Sequence, residues 1–223
     1  MSTALVVQHA EVEGVGHFAE WLPKYGVDLR IAQPYRGSTL PPTVDADALI
    51  VMGGPMGAYD DEDAPWLPAT KALMRDAVDR ALPTLGVCLG AQLLAVATGG
   101  RVERGAAGPE LGLDSVELTR SDALFDAGVI PVVQWHYDTV VALPEAATLL
   151  GSSARYPTQA FRLGDRAWGV QFHVEATVGM VADWARSEQL DESTITAPVA
   201  DSEARLKTVG EDFARRFAAV VTA

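Results

Sequence analysis

Cysteine is nearly absent from this chain. Cys88 is the only one among 223 residues, so no disulfide can form within it. Positive charge is scarce as well: 17 Lys and Arg stand against 30 Asp and Glu, a formal net charge of −13, which argues against a basic surface that grips a nucleic-acid backbone. No apolar run is long enough to span a bilayer, and no amino-terminal stretch has the charged flank and cleavage site of a secretory signal. The expected location is the cytoplasm, without membrane or nucleic-acid partners. The four histidines are not spaced as metal ligands, and Asp60-Asp61-Glu62-Asp63 reads as a solvated acidic loop, so neither a metal nor a cofactor is expected. Repeats, low-complexity tracts and linker-like shifts in composition are also missing. A single domain over residues 1–223, with a tail at 191–223 that ends in a helix, follows from length and evenness of composition.

What is present is an alternation of short apolar strands and amphipathic helices. Strands are expected at Thr3 to Gln8, Val27 to Ala32 and Ala48 to Met52. Helices are expected near Gly16 to Tyr25, where Phe18, Trp21 and Leu22 recur at helical spacing, and at Leu67 to Arg80. This alternation predicts an α/β fold of three layers (α/β/α) with a mostly parallel central sheet, its active residues gathered at the carboxyl ends of the strands. From Gly108 to Gly164 the strands read as shorter and partly antiparallel. Asp191 to Asp201, rich in Thr, Ser, Pro and Asp, reads as an irregular stretch before a helix over Ser202 to Val221.

The segment Thr84-Leu85-Gly86-Val87-Cys88-Leu89-Gly90-Ala91-Gln92 carries the strongest chemical signal. It sets the lone cysteine where an apolar strand turns into a helix, with small residues two before and two after it, as a sharp nucleophile elbow requires. The helix expected over Leu89 to Thr98 ends at Gly99-Gly100 and would direct its positive end at the sulfur, favouring the thiolate. A buried structural cysteine is the competing reading.

A nucleophile needs a base, and the base an orienting group. Ala167 to Glu175 reads as a buried strand ending at His173, with Glu175 two residues on and so on the same side of extended backbone. The strand Asp47 to Met52 runs into Gly53-Gly54-Pro55-Met56-Gly57-Ala58, a turn able to aim backbone N–H groups at a developing oxyanion. His9, just past the first strand, reads as a polar loop residue, His17 as a helix-surface residue and Glu110 as structural. His136 beside Asp138 offers a rival dyad.

Taken together, Gly53-Gly54-Pro55, then Gly86 to Gln92, then Gly169-Val170-Gln171-Phe172-His173-Val174-Glu175 resemble, in order, the three signature blocks of class I (triad-type) glutamine amidotransferases, and in particular the GMP synthase-like stand-alone members. The resemblance runs from the first strand to about Thr177 and implies a flavodoxin-like class I glutamine amidotransferase fold. It implies that Cys88 attacks the side-chain amide of glutamine, releasing ammonia and leaving a glutamyl thioester that water hydrolyses to glutamate. Position by position, it makes Cys88 the nucleophile, His173 the acid and base, and Glu175 the orienting carboxylate. It makes the backbone amides of Gly54 and Leu89 the oxyanion hole, Gln92 a substrate holder, and the block around His136 and Tyr137 the grip on the amino-acid head. Two positions depart from the pattern: Tyr137, where many relatives have glycine, and Val174, where proline is usual.

Neither a Gly-x-x-x-x-Gly-Lys-Ser/Thr phosphate loop nor a Ser-Gly-Gly-rich loop for ATP activation is present. The chain is therefore not a complete GMP synthase, and any ammonia acceptor must lie on a separate synthase chain. Three readings stand at this point. They are a glutaminase acting on glutamine, a hydrolase of γ-glutamyl conjugates using the same triad, and a non-catalytic regulatory relative. The intact Cys88, His173 and Glu175 oppose the third.

Overall fold

Strand β1 (Ser2–Val7) shows why the sheet lies at the centre. Ala4 and Val6 face one apolar cluster while Leu5 and Val7 face another, so the strand is buried on both sides, as a parallel sheet covered by helices requires. The computed structural model describes all of residues 1–223. Strands β2 (Val27–Ala32), β3 (Ala48–Val51) and β4 (Thr84–Val87) complete, with β1, the first part of the sheet. Its order is β2-β1-β3-β4, and every pairing within it is parallel.

On one face lie helices α1 (Phe18–Lys24) and α6 (Glu203–Thr222), whose Phe18, Trp21, Phe213 and Phe217 pack over Ile50, Val87 and Trp168. On the other lie α2 (Leu67–Asp79) and α3 (Leu89–Ala97), whose Leu73, Met74, Leu93 and Leu94 cover Leu49 and Val51. The three-layer α/β/α arrangement of the sequence reading is the one observed.

The sheet continues past β4 through β11 (Ala167–Val170), still parallel, and then through β10 (Ala160–Leu163), β9 (Ala147–Ser152), β6 (Glu110–Leu118) and β7 (Gly128–His136), all antiparallel, to nine strands. A separate ribbon pairs β5 (Arg101–Arg104) with β8 (Asp138–Ala142). The antiparallel pairing is as expected and β8, β9 and β10 are short, with 4 to 6 residues each, but the expectation fails for the other two strands of this region. β6 and β7 have nine residues each and pair over their full length, a register that sequence alternation alone understates because Gly112 and Pro131 interrupt it.

A second correction concerns 191–201, where a helix, α5 (Glu192–Asp201), replaces the expected irregular stretch. The side chain of Asp191 accepts bonds from the backbone of Ser193 and Thr194, so polar residues that read as loop-forming are spent on an N-cap. Together with α4 (Val178–Ser187), α5 packs its apolar side on Val133 and Trp135 of β7. The loops that follow β1, β3, β4 and β11 meet at the carboxyl ends of the parallel strands, around the switch point between β1 and β3.

Candidate active site

Cys88 stands between β4 and α3 with φ 52° and ψ −109°, a conformation that costs an L-residue energy and persists only where its surroundings dictate it. The two flanking glycines are what allow it. A Cβ on Gly86 would lie 2.4 Å from the carbonyl oxygen of Gly90, and one on Gly90 would lie 2.0 Å from that of Val51. The backbone N–H of Cys88 donates to Val170 at 2.8 Å, tying the elbow to β11. The Cys88 sulfur is buried, 3.5 Å from the carbonyl oxygen of Trp135 and 3.6 Å from the amide nitrogen of Gln171.

β11 stops at Val170, three residues before the histidine that was expected to end it. His173 is fixed instead by its backbone N–H, which donates to Val133 of β7 at 2.8 Å. Its Nδ1 lies 2.8 Å from Oε1 of Glu175, both side chains are buried, and the ring packs on Trp184 with centroids 4.7 Å apart. Burial by itself would lower the His173 pKa. The charge of Glu175, with contact and charge from Cys88, overrules that and holds the imidazole well above its ordinary value. Nε2 has no hydrogen bond of normal geometry, because the thiol is turned toward Trp135.

The glycine turn after β3 brings Gly54 against the first residue of α3. A Cβ on Gly54 would lie 2.8 Å from Cδ2 of Leu89. The Gly54 N–H donates to no backbone acceptor, and Leu89, as the first helical residue, has none within its helix. Both line a cleft of about 350 Å³ together with Cys88, within the range of small-molecule sites.

Gln92 lines the same cleft, and its amide nitrogen is committed to the Asp138 carbonyl and to Gln171 Oε1, each at 3.1 Å. His136 also borders it, but both ring nitrogens are occupied, Nδ1 by the Asp138 carbonyl at 3.0 Å and Nε2 by Glu110 at 2.8 Å. The carboxylate paired with His136 is therefore Glu110, not Asp138. Burial alone would raise the Glu110 pKa, but bonds from His136, Ser153 and Gln159 hold it below the usual value. Tyr137 donates its hydroxyl to Glu188, and the Arg104 guanidinium lies 4.4 Å from the centre of its ring.

His9 does lie in the loop after β1, but not in water. It is buried under Trp66, whose Nε1 donates to Nδ1 at 2.9 Å, and burial lowers its pKa to about 4. His17 precedes α1, half-buried and stacked on Trp21. Asp60, read as part of a solvated loop, borders the cleft and accepts a bond from the Gly57 N–H at 2.7 Å. Six cleft residues had no sequence signal at all: Val12, Glu13, Arg104, Trp184, Ser187 and Glu188. None belongs to a motif; the loop after β1, the β5–β8 ribbon and the end of α4 carry them in.

Residues 19–182 match the family model for glutamine amidotransferase class-I. The chain is similar to the glutamine amidotransferase-like protein YfeJ of Salmonella typhimurium, with 31% identity over 78% of this chain and 76% of that one. It is 31% identical to γ-glutamyl peptidase 5 of Arabidopsis thaliana over 58% of this chain and 53% of the peptidase. Against the glutamine-hydrolysing GMP synthase of Lactococcus lactis (strain IL1403) it is 38% identical over 57% of this chain, but spans only 24% of the synthase. A crystal structure of a glutamine amidotransferase from Methylobacillus flagellatus superposes with a TM-score of 0.88 at 29% identity, over 97% of this chain and 94% of that one.

Proposed function

Since the chain belongs to the class I glutamine amidotransferase family, we propose that it transfers the γ-glutamyl group of glutamine to water through a thioester on Cys88. The observation that carries this reading is the buried pair of His173 and Glu175, at 2.8 Å, beside a cysteine held in a strained elbow over one cleft. His173⁺ stabilises the Cys88 thiolate, which attacks the γ-carbonyl carbon. The oxyanion that forms is met by the N–H groups of Gly54 and Leu89. His173 then gives its proton to the departing ammonia, and next takes one from the water that attacks the thioester. Free glutamate leaves and the thiolate is restored. Glu175 holds the imidazole in the tautomer that presents Nε2 to the sulfur. No metal or cofactor enters this scheme.

A second reading keeps the triad and changes the leaving group. Beyond Cys88 the cleft extends to Arg104, Tyr137 and Glu188, and the bond between Tyr137 and Glu188 shapes a wall that a substituent on the γ-amide would meet. That favours a γ-glutamyl amine or peptide, in keeping with the likeness to a γ-glutamyl peptidase. Ammonia release for a separate synthase chain is the corresponding extension of the first reading, in keeping with the likeness to GMP synthase.

The deciding experiment is glutamate release by the purified protein from L-glutamine and from a panel of γ-glutamyl amines and dipeptides, with Cys88→Ala as control. Cys88-dependent release from glutamine supports the glutaminase. Release from conjugates alone supports the second reading, and activity that survives in Cys88→Ala sinks both.

A further inference from the structure

The cleft contains four carboxyl groups, and three have partners. Asp60 accepts from the Gly57 N–H at 2.7 Å, Asp138 faces the Arg104 guanidinium at 3.8 Å, and Glu188 accepts from Trp135 Nε1 at 2.8 Å and from Tyr137. Glu13 has none. Only 8% of it is exposed, and the influences on its titration are burial and the charges of His173, Glu175 and Glu188, with no hydrogen bond among them. Its oxygens are not fully enclosed, so the carboxyl meets the cleft with no protein donor, and giving up the water it keeps there is costly unless a ligand brings a donor.

Its position is nevertheless well fixed. The preceding carbonyl, of Val12, accepts a bond from Trp184 Nε1 at 2.9 Å. The Glu13 N–H donates to Ala10 at 3.3 Å, whose carbonyl also takes Gln8 Nε2 at 2.7 Å. The carboxyl is thereby held against Gly53. A Cβ added there would lie 2.6 Å from Glu13 Oε2 and 3.2 Å from His173 Cε1, so the group sits between the imidazole and the turn that carries the Gly54 amide. An unanswered negative charge at this place opposes a developing oxyanion. A cation delivered by the substrate removes that opposition and completes the missing hydrogen bond.

We propose that Glu13 is a specificity-determining residue whose carboxylate receives the α-ammonium group of the γ-glutamyl substrate, three carbons from the carbonyl that Cys88 attacks. The inference rests on the γ-glutamyl transfer reading given above. It restricts the substrates to γ-glutamyl compounds with an unblocked amino group, whatever their leaving group. Burial, opposed by His173 and assisted by Glu175 and Glu188, raises the Glu13 pKa to about 7, which agrees with a site that lacks its cation until substrate arrives.

The test uses the full chain and two chromogenic substrates that differ only at the α-carbon, γ-L-glutamyl-p-nitroanilide and glutaryl-p-nitroanilide. p-Nitroaniline release is followed alongside the intact mass of acyl-Cys88 after acid quench. The wild-type protein is expected to prefer the amino substrate by about 10- to 100-fold in kcat/KM, the range of a charge-assisted hydrogen bond. Glu13→Gln should collapse that preference to a few-fold, slowing the amino substrate and leaving the glutaryl rate equal or faster because no unanswered charge then faces the oxyanion, and Glu13→Asp should keep part of it. A preference that survives in Glu13→Gln, or a variant that slows both substrates equally, overturns the assignment, the latter marking Glu13 as an aid to His173 instead. Acylation of Cys88 by neither substrate, nor by L-glutamine in the same assay, would overturn the γ-glutamyl transfer reading and the inference with it; acylation by L-glutamine alone moves the comparison to L-glutamine and glutaramate, the same pair without the anilide. Acylation without Glu13-dependent discrimination would overturn the inference alone.

Discussion

At the scale of single residues, the site is set by groups kept out of their ordinary states. Cys88 sits at positive φ, and the His173 imidazole is held well above its ordinary pKa by Glu175 against its own burial. If the triad works as proposed, Cys88→Ala abolishes glutamate release and leaves the circular dichroism spectrum and melting temperature near those of the parent. His173→Ala does nearly the same, and Glu175→Gln loses less, since it misorients the imidazole without removing it. Glu13 makes a prediction about stability instead. Its folded pKa, about 7, lies above the ordinary 4.5, so the folded chain holds this proton more tightly than the unfolded one. Below pH 4.5 both states are protonated and no penalty exists. The penalty grows as pH rises to 7, reaching at most about 3 kcal/mol above it. Glu13→Gln should therefore melt higher than the parent at pH 8 and coincide with it near pH 4 in thermal denaturation.

At the scale of elements, close approach between β4, α3 and β3 decides whether the elbow exists. The Gly90 position is 2.0 Å, for a hypothetical Cβ, from the Val51 carbonyl, a backbone atom that cannot swing aside. Gly90→Ala is expected to destabilise the fold by about 1–3 kcal/mol or more, as overpacking does, and to reduce activity further by shifting Cys88. Urea denaturation and turnover measured on the same variant check both effects. The helix α5 offers a milder case. Replacing its N-cap, Asp191→Ala, should cost about 1 kcal/mol, readable as a lower urea midpoint, because the cap bonds to Ser193 and Thr194 disappear.

At the scale of the whole molecule, charge and topology act together. A formal net charge of −13 produces self-repulsion that dissolved salt screens, with a Debye length near 8 Å at physiological ionic strength. Raising salt from about 10 mM to 150 mM should raise the melting temperature, and a fall would mean that the surface ion pairs outweigh the repulsion. No helix is long and apolar enough to cross a membrane. The nine-stranded sheet matters to the site through its far half. β7 holds the His173 backbone through Val133 and supplies Trp135, while α4, packed on that strand, brings Trp184 and Glu188 to the cleft.

The elbow, the glycine turn and the pair two residues apart could be read directly from the chain, because each depends on local backbone geometry within a few residues. So could the parallel strands β1, β3 and β4, whose apolar runs leave little choice but burial on both faces, while β2, at the sheet edge, carries Asp28 and Arg30 and is buried only in part. The polar stretch at 191–201 misled the reading since Ser, Thr and Asp favour loops and helix caps alike. His9 misled it because a polar residue after a strand ordinarily meets water, and only the placement of Trp66, 57 positions away, covers it. The sequence by itself thus determined the reactive backbone shapes and the sheet that presents them. The tertiary structure alone decided which distant side chains line the cleft, Glu13, Arg104, Trp184 and Glu188 among them, and that Glu110 rather than Asp138 pairs with His136. Long-range packing and burial, not spacing along the chain, set those encounters and the proton affinities that follow from them.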